Sequence, residues 1–99
     1  MADLQVVAVL TARAGSEQAV GAALNALVEP TRAEPGCTSY QLFVSAADPA
    51  TFITVETWRS QDDLDAHFQT EHVQHALATA GEHLAAAPAV HPLSVVSAG

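Results

Sequence analysis

The chain has 99 residues, 49% of them hydrophobic and 14% charged, with a formal net charge of −8. It is long enough to bury a core and too apolar to be disordered, so residues 1–99 are expected to form a single domain, one small enough to gain from self-association. Lysine is absent and the only cations are Arg13, Arg32 and Arg59; with almost nothing to replace the counterions of phosphate, nucleic acid and anionic membrane surfaces are excluded as partners.

Met1-Ala2-Asp3-Leu4 lacks the basic start and apolar core of a signal peptide. No apolar run approaches the roughly 20 residues of a membrane span, so a cytoplasmic protein is expected. Leu4 to Thr11 reads as a strand whose two alternating sets, Leu4, Val6, Ala8, Leu10 and Gln5, Val7, Val9, Thr11, are both largely apolar, which implies cover on both faces. Ala14-Gly15 makes a turn, and Ser16-Glu17 opens a helix with Val20, Leu24, Leu27 and Val28 on one stripe. Pro30 is expected to bend or end it, and Glu34-Pro35-Gly36 is a stop.

Cys37 to Ser45 is the second strand. Cys37 is the only cysteine, which excludes an internal disulfide and fits a reducing compartment. Ala46 to Ala50 is a hairpin loop into a third strand at about Thr51 to Arg59, where Phe52, Thr54, Glu56 and Trp58 share one face and Ile53, Val55 and Thr57 the other. Ser60 with Asp63 forms an approximate capping box for a short helix to about Gln69. In it Leu64, His67 and Phe68 fall at i, i+3 and i+4, so a histidine lies on the inward stripe. Thr70 caps a further helix to about Ala86, with Val73, Leu77, Ala80 and Leu84 as its stripe and Gly81 as a weak point. A last strand is expected over Val90 to Val96, with Pro92 tolerated near its start or on an edge.

The order is β-α-β-β-α-β, an α+β ferredoxin-like antiparallel sheet with helices on one face. If Phe52 and Trp58 faced water with half of strand one, the apolar patch would be too large for a monomer. The open face is therefore expected to meet a second sheet in a two-fold dimer, with a ligand pocket between helices and sheet or between sheets.

Arg32-Ala33-Glu34-Pro35-Gly36-Cys37-Thr38-Ser39-Tyr40-Gln41-Leu42, then Asp48-Pro49, Phe52, Glu56-Thr57-Trp58, and His67 followed by Thr70 and His72, resemble the antibiotic biosynthesis monooxygenase domain in order and spacing. The resemblance covers nearly the whole chain. It implies a dimeric ferredoxin-like α/β barrel, and a family whose characterised members include cofactor-independent oxygenases of anthrones and quinols beside members with no demonstrated catalysis. A haem-degrading branch uses an asparagine in the first strand. Val6, Val7 and Ala8 stand there, and the sole asparagine is Asn25 on the first helix, which disfavours haem degradation.

His67 is the candidate base for a phenolic or benzylic proton, since histidine ordinarily titrates near neutrality. The competing account is an inward histidine satisfied by one hydrogen bond. Trp58, Tyr40 and Phe68 are candidate stacking surfaces for a flat substrate, against plain core or interface packing, and the Tyr40 hydroxyl can meet a substrate carbonyl. His72 is a candidate rim residue. His72, His75 and His83 flank the apolar stripe without a carboxylate or cysteine to complete a metal motif, so no metal is expected. Glu56, inside a strand, is expected to form a structural or intersubunit salt bridge with Arg59, Arg13 or Arg32. Cys37 reads as a packed thiol.

No phosphate loop, dinucleotide fingerprint or nucleophile elbow is present, so no cofactor is expected. The leading expectation is a homodimeric monooxygenase acting on a small electron-rich aromatic with O2. The alternative is a non-catalytic barrel that binds a small aromatic ligand.

Overall fold

Alternation along the long strands decides which side of the sheet the helices cover. The computed structural model describes residues 3–97. In chain order they form β1 (Leu4–Thr11), α1 (Glu17–Arg32), β2 (Cys37–Val44), β3 (Thr51–Trp58), α2 (Gln61–Phe68), α3 (Glu71–Gly81) and β4 (Ala89–Pro92). The sheet is antiparallel in the order β2-β3-β1-β4, the ferredoxin-like α+β arrangement. No helix among the described residues is long and apolar enough to cross a membrane.

Cross-strand partners share a face. Leu10 lies opposite Phe52, Ala8 opposite Thr54, Val6 opposite Glu56, and Glu56 opposite Tyr40 on the other side. This set is buried under the helices. Against it α1 buries Val20, Leu24, Leu27 and Thr31, and α3 buries Val73, Ala76 and Ala80. A smaller cluster of Val6, Trp58 and Leu64 fills the end of the sheet beneath α2. Each large side chain so buried contributes about 1.5–3 kcal/mol relative to exposure.

Phe52 and Trp58 thus belong to the covered side, 9% and 0% exposed, so they play no part in the open face. That face carries Val7, Val9, Ile53 and Val55, with Phe43 beside Ile53 on β2. Phe43 and Val55 are exposed.

Three boundaries depart from expectation. Pro30 lies inside α1, which continues to Arg32; proline removes one bond to the preceding turn, but Ala33 N–H closes the next turn onto Glu29 O at 3.2 Å. α3 stops at Gly81, short of Ala86, because the following chain is captured by β1: Leu84 bridges Ala12 and Ala85 N–H donates to Thr11 O at 2.8 Å. Within α3, Leu77 is exposed and Ala76 takes its place on the buried stripe. β4 ends at Pro92, an edge position where a missing N–H is tolerated.

Candidate functional site

The exit from α1 carries Glu34 into the core. Glu34 N–H donates to Thr31 O at 3.0 Å, Cys37 N–H donates to Glu34 O at 3.0 Å, and Arg59 N–H reaches Gly36 O at 3.0 Å. The turn is therefore tied to the end of β3. Gly36 is required there, because a Cβ would overlap the Asp63 side chain in the first turn of α2. This close approach brings residue 34 beside residue 67.

On α2, Ser60 is the N-cap. Its Oγ accepts from Asp63 N–H at 3.1 Å and donates to Asp63 Oδ2 at 3.0 Å, which satisfies an orphan donor of the first turn. The helix buries Leu64 and His67. Thr70 then sets the corner to α3. Its hydroxyl donates to His67 O at 2.7 Å and accepts from Val73 N–H at 3.4 Å. One side chain thereby fixes the spacing of His67 and His72.

Both histidines point at one carboxylate oxygen. Glu34 Oε2 lies 2.7 Å from His67 Nδ1 and 2.7 Å from His72 Nε2. Side-chain exposure rises outward, from 4% at His67 and 11% at Glu34 to 26% at His72. An ionised carboxylate only accepts, so hydrogen-bond logic assigns N–H to His67 Nδ1 and to His72 Nε2. In a neutral ring that leaves His67 Nε2 as the free lone pair. The ring is enclosed by Trp58 at 4.6 Å between centroids, Phe68 at 5.2 Å, Tyr40 at 6.1 Å and His72 at 6.3 Å. The fold thus brings His67, Trp58, Phe68, Tyr40 and His72 together.

Glu56 lies beneath this group, 4% exposed. Its expected arginine partner is not there. Thr54 Oγ1 donates to Oε2 at 2.6 Å and Trp58 Nε1 donates to Oε1 at 2.8 Å. Residues two before and two after on a strand share its face, so β3 satisfies its own acid. The arginines stand elsewhere: Arg59 beside Asp63 at 3.5 Å, Arg32 beside Glu29 at 3.6 Å, and Arg13 donating to Leu84 O at 2.9 Å.

Burial raises the Tyr40 phenol well above the usual tyrosine range, and Glu56, Cys37 and Glu34 add to it. The hydroxyl therefore stays protonated as a donor. Burial also pushes the Cys37 thiol up, with Glu34 and Glu56 adding to the rise and Arg32 opposing it. Cys37 is partly buried, its Sγ 3.6 Å from Ser39 O.

Two cavities adjoin the group without reaching His67 itself. One of about 570 Å³ is lined by Tyr40, Arg32, Cys37, Gln41 and Val55. The other, about 450 Å³, is an apolar groove between α1 and α3, lined by Ala23, Leu27 and Ala76 with His72 and His75. The row of His72, His75 and His83 does not converge. His83 Nδ1 pairs with Ser16 Oγ at 3.0 Å, while His75 is exposed. The carboxylate that sequence spacing did not offer to the histidines is Glu34, whose donor atom lies with those of His67 and His72 inside 4.8 Å. Glu34-Pro35-Gly36 reads along the chain only as a helix stop. Its one further signal is an acid directly before a forced turn.

Comparison with known proteins bears on the fold and the family. The chain is 38% identical over 89 residues to "Putative monooxygenase Rv0793" of Mycobacterium tuberculosis, covering 90% of this chain and 87% of that protein. The solved structure of Rv0793 superposes with a TM-score of 0.88 at 34% identity, covering 98% of each chain. PA3566 of Pseudomonas aeruginosa superposes with a TM-score of 0.90 at 31% identity, covering 98% of this chain and 97% of that one. A 43-residue stretch, 43% of this chain, is 44% identical to the uncharacterized Synechocystis protein sll1783 and spans 29% of that protein's length. Residues 4–79, from the first strand through the Glu34, Glu56, Trp58, His67 and His72 cluster, match the family model for antibiotic biosynthesis monooxygenase, and the chain belongs to that family.

Proposed function

We propose that the protein is a cofactor-independent monooxygenase that oxidises an electron-rich aromatic, a quinol or anthrone-type polyketide, with O2. The observation that carries this reading is His67, held through Nδ1 by Glu34 and enclosed by Trp58, Phe68 and Tyr40. The carboxylate fixes the tautomer and steadies the imidazolium that forms when Nε2 takes a proton, the role of the acid in acid–histidine pairs. Nε2 removes the phenolic or benzylic proton. The resulting anion is an electron donor and reduces O2 by one electron, and recombination of the radical pair forms the C–O bond. The peroxide anion takes the proton back from Nε2, and loss of water from the resulting hydroperoxide turns an anthrone CH2, or a quinol ring C–H in its keto form, into C=O. The substrate supplies all the electrons, so neither metal nor flavin is needed.

The protonated Tyr40 donates to the substrate oxyanion, while Trp58 and Phe68 stack on a flat ring. His67 is 3% exposed, so on this reading a path to Nε2 has to open when substrate enters. The open face of Val7, Val9, Ile53 and Val55 supports a homodimer built sheet to sheet, and the lone cysteine supports a cytoplasmic setting.

One observation favours a second reading, a barrel that binds an aromatic ligand without turning it over: His67 is already hydrogen-bonded and closed in. Oxygen uptake with a panel of quinols and anthrones, using metal-stripped protein, separates the two. Wild type is expected to consume O2, with His67→Ala slower by about 10²–10⁴-fold. Absence of turnover on every substrate, with ligand binding equal in both proteins, selects the binding module.

A further inference from the structure

We infer that Glu34, His67 and His72 form a binding site for one borderline divalent transition metal, of the Zn2+, Co2+ and Ni2+ class. Two imidazoles and one carboxylate are the donor set that such ions take, with further positions left to water. The donors come from three separate places: the exit of α1, the last turn of α2 and the first turn of α3. They are held there independently of any ion, by the Gly36–Asp63 contact and by Thr70. Oε2 already lies 2.7 Å from each nitrogen, and all three donor atoms fall inside 4.8 Å. Donors bound about 2.0–2.1 Å from one ion lie about 3–3.4 Å apart, so the oxygen–nitrogen pairs need to spread by less than about 1 Å. The surroundings favour a cation. Glu56 is buried without an arginine partner among the described residues, and the Arg32 side chain is turned to Glu29 and Tyr40 O.

Metal binding has a consequence for the base. An ion on Nδ1 needs that lone pair, so the single proton of a neutral His67 ring moves to Nε2. Nε2 is the nitrogen that the monooxygenase reading uses, and on that reading the ion is an inhibitor rather than a cofactor.

Calorimetry of Zn2+ with the metal-stripped 99-residue protein tests the site without reference to turnover. One ion per chain is expected, bound about tenfold or more tighter than by Glu34→Gln or His72→Gln. The carboxamide that replaces the Glu34 carboxylate still accepts N–H bonds, and residue 72 is on the rim, so both variants are suited to folding. His75→Gln, outside the cluster, should bind as wild type does. Nitrogen-detected spectra should show the His67 proton moving from Nδ1 to Nε2 as Zn2+ is added. Wild-type affinity equal to that of Glu34→Gln, undiminished binding by a Glu34→Gln, His72→Gln double variant, or an unchanged His67 tautomer would each overturn the site. Oxygen uptake without metal binding would leave the monooxygenase reading standing, and metal binding without oxygen uptake would leave the site standing.

Discussion

The two faces of β3 both carry large apolar side chains, and the helices cover only one of them. On one face, Phe52 and Trp58 pack beneath helices, and Thr54 and Trp58 bond both oxygens of Glu56. On the other, Ile53 and Val55 lie between Val7 and Val9 of β1 and Phe43 and Gln41 of β2, on the side of the sheet away from the helices. A polar group can be completed within one strand, because its neighbours at two residues' distance are fixed by the pleat. An apolar sheet face cannot be completed that way, since it needs area from another layer.

The largest expected effect tests the self-contained face. Trp58→Ala removes the side chain that joins the small core cluster to Glu56, and should cost about 3–5 kcal/mol in urea unfolding. A loss below about 1 kcal/mol would mean that the cluster collapses to fill the space. Val55→Asp tests the other face. In the proposed two-fold dimer the new charge enters the interface twice, so on that proposal the dissociation constant should rise about 100-fold or more, read by sedimentation. A wild-type protein that sediments as a monomer at micromolar concentration would remove the basis of that prediction.

Thr31, on the covered side, is buried with its Oγ1 unpartnered. Thr31→Val keeps the shape and removes the stranded hydroxyl, so stability should rise by about 1 kcal/mol. The smallest effect concerns charge. Because the Cys37 thiol is pushed up by burial, then by Glu34 and Glu56, its thiolate fraction at a given pH is below that of an ordinary thiol. Its alkylation should therefore reach half-maximal rate at a higher pH than a free cysteine does. Glu56→Gln should bring that midpoint down, and an unmoved midpoint would show that Glu56 contributes nothing to the field at residue 37.

What can be read from the chain follows the range of each interaction. The period of two in Phe52–Trp58 and the i, i+3, i+4 spacing of Leu64, His67 and Phe68 are local, and they place the strand, the helix and the inward histidine. The Ser60 and Thr70 caps are local too. Glu34 is invisible as a site residue because its two contacts span 33 and 38 residues. Its own neighbours, Pro35 and Gly36, advertise a turn and nothing else. Glu56 departs from expectation for the opposite reason: a buried charge directs attention to distant arginines, while its donors stand two residues away. α3 ends early for a tertiary reason, since the end of β1 offers bridge and hydrogen-bond partners that no helical periodicity foretells.

The sheet order leaves β2 on an edge, eight residues long. Cys-Thr-Ser-Tyr-Gln-Leu-Phe-Val contains neither a charge nor a proline, and its bulge lies only at the Cys37/Ser39 end. Such a strand is a template for joining another chain edge to edge. Restraint then falls to mutual repulsion between molecules that each carry −8. Salt shortens the reach of that repulsion. Shelf life in concentrated solution should accordingly fall as ionic strength rises, and replacing Gln41 or Phe43 by glutamate, which adds to the repulsion and charges the edge, should restore it.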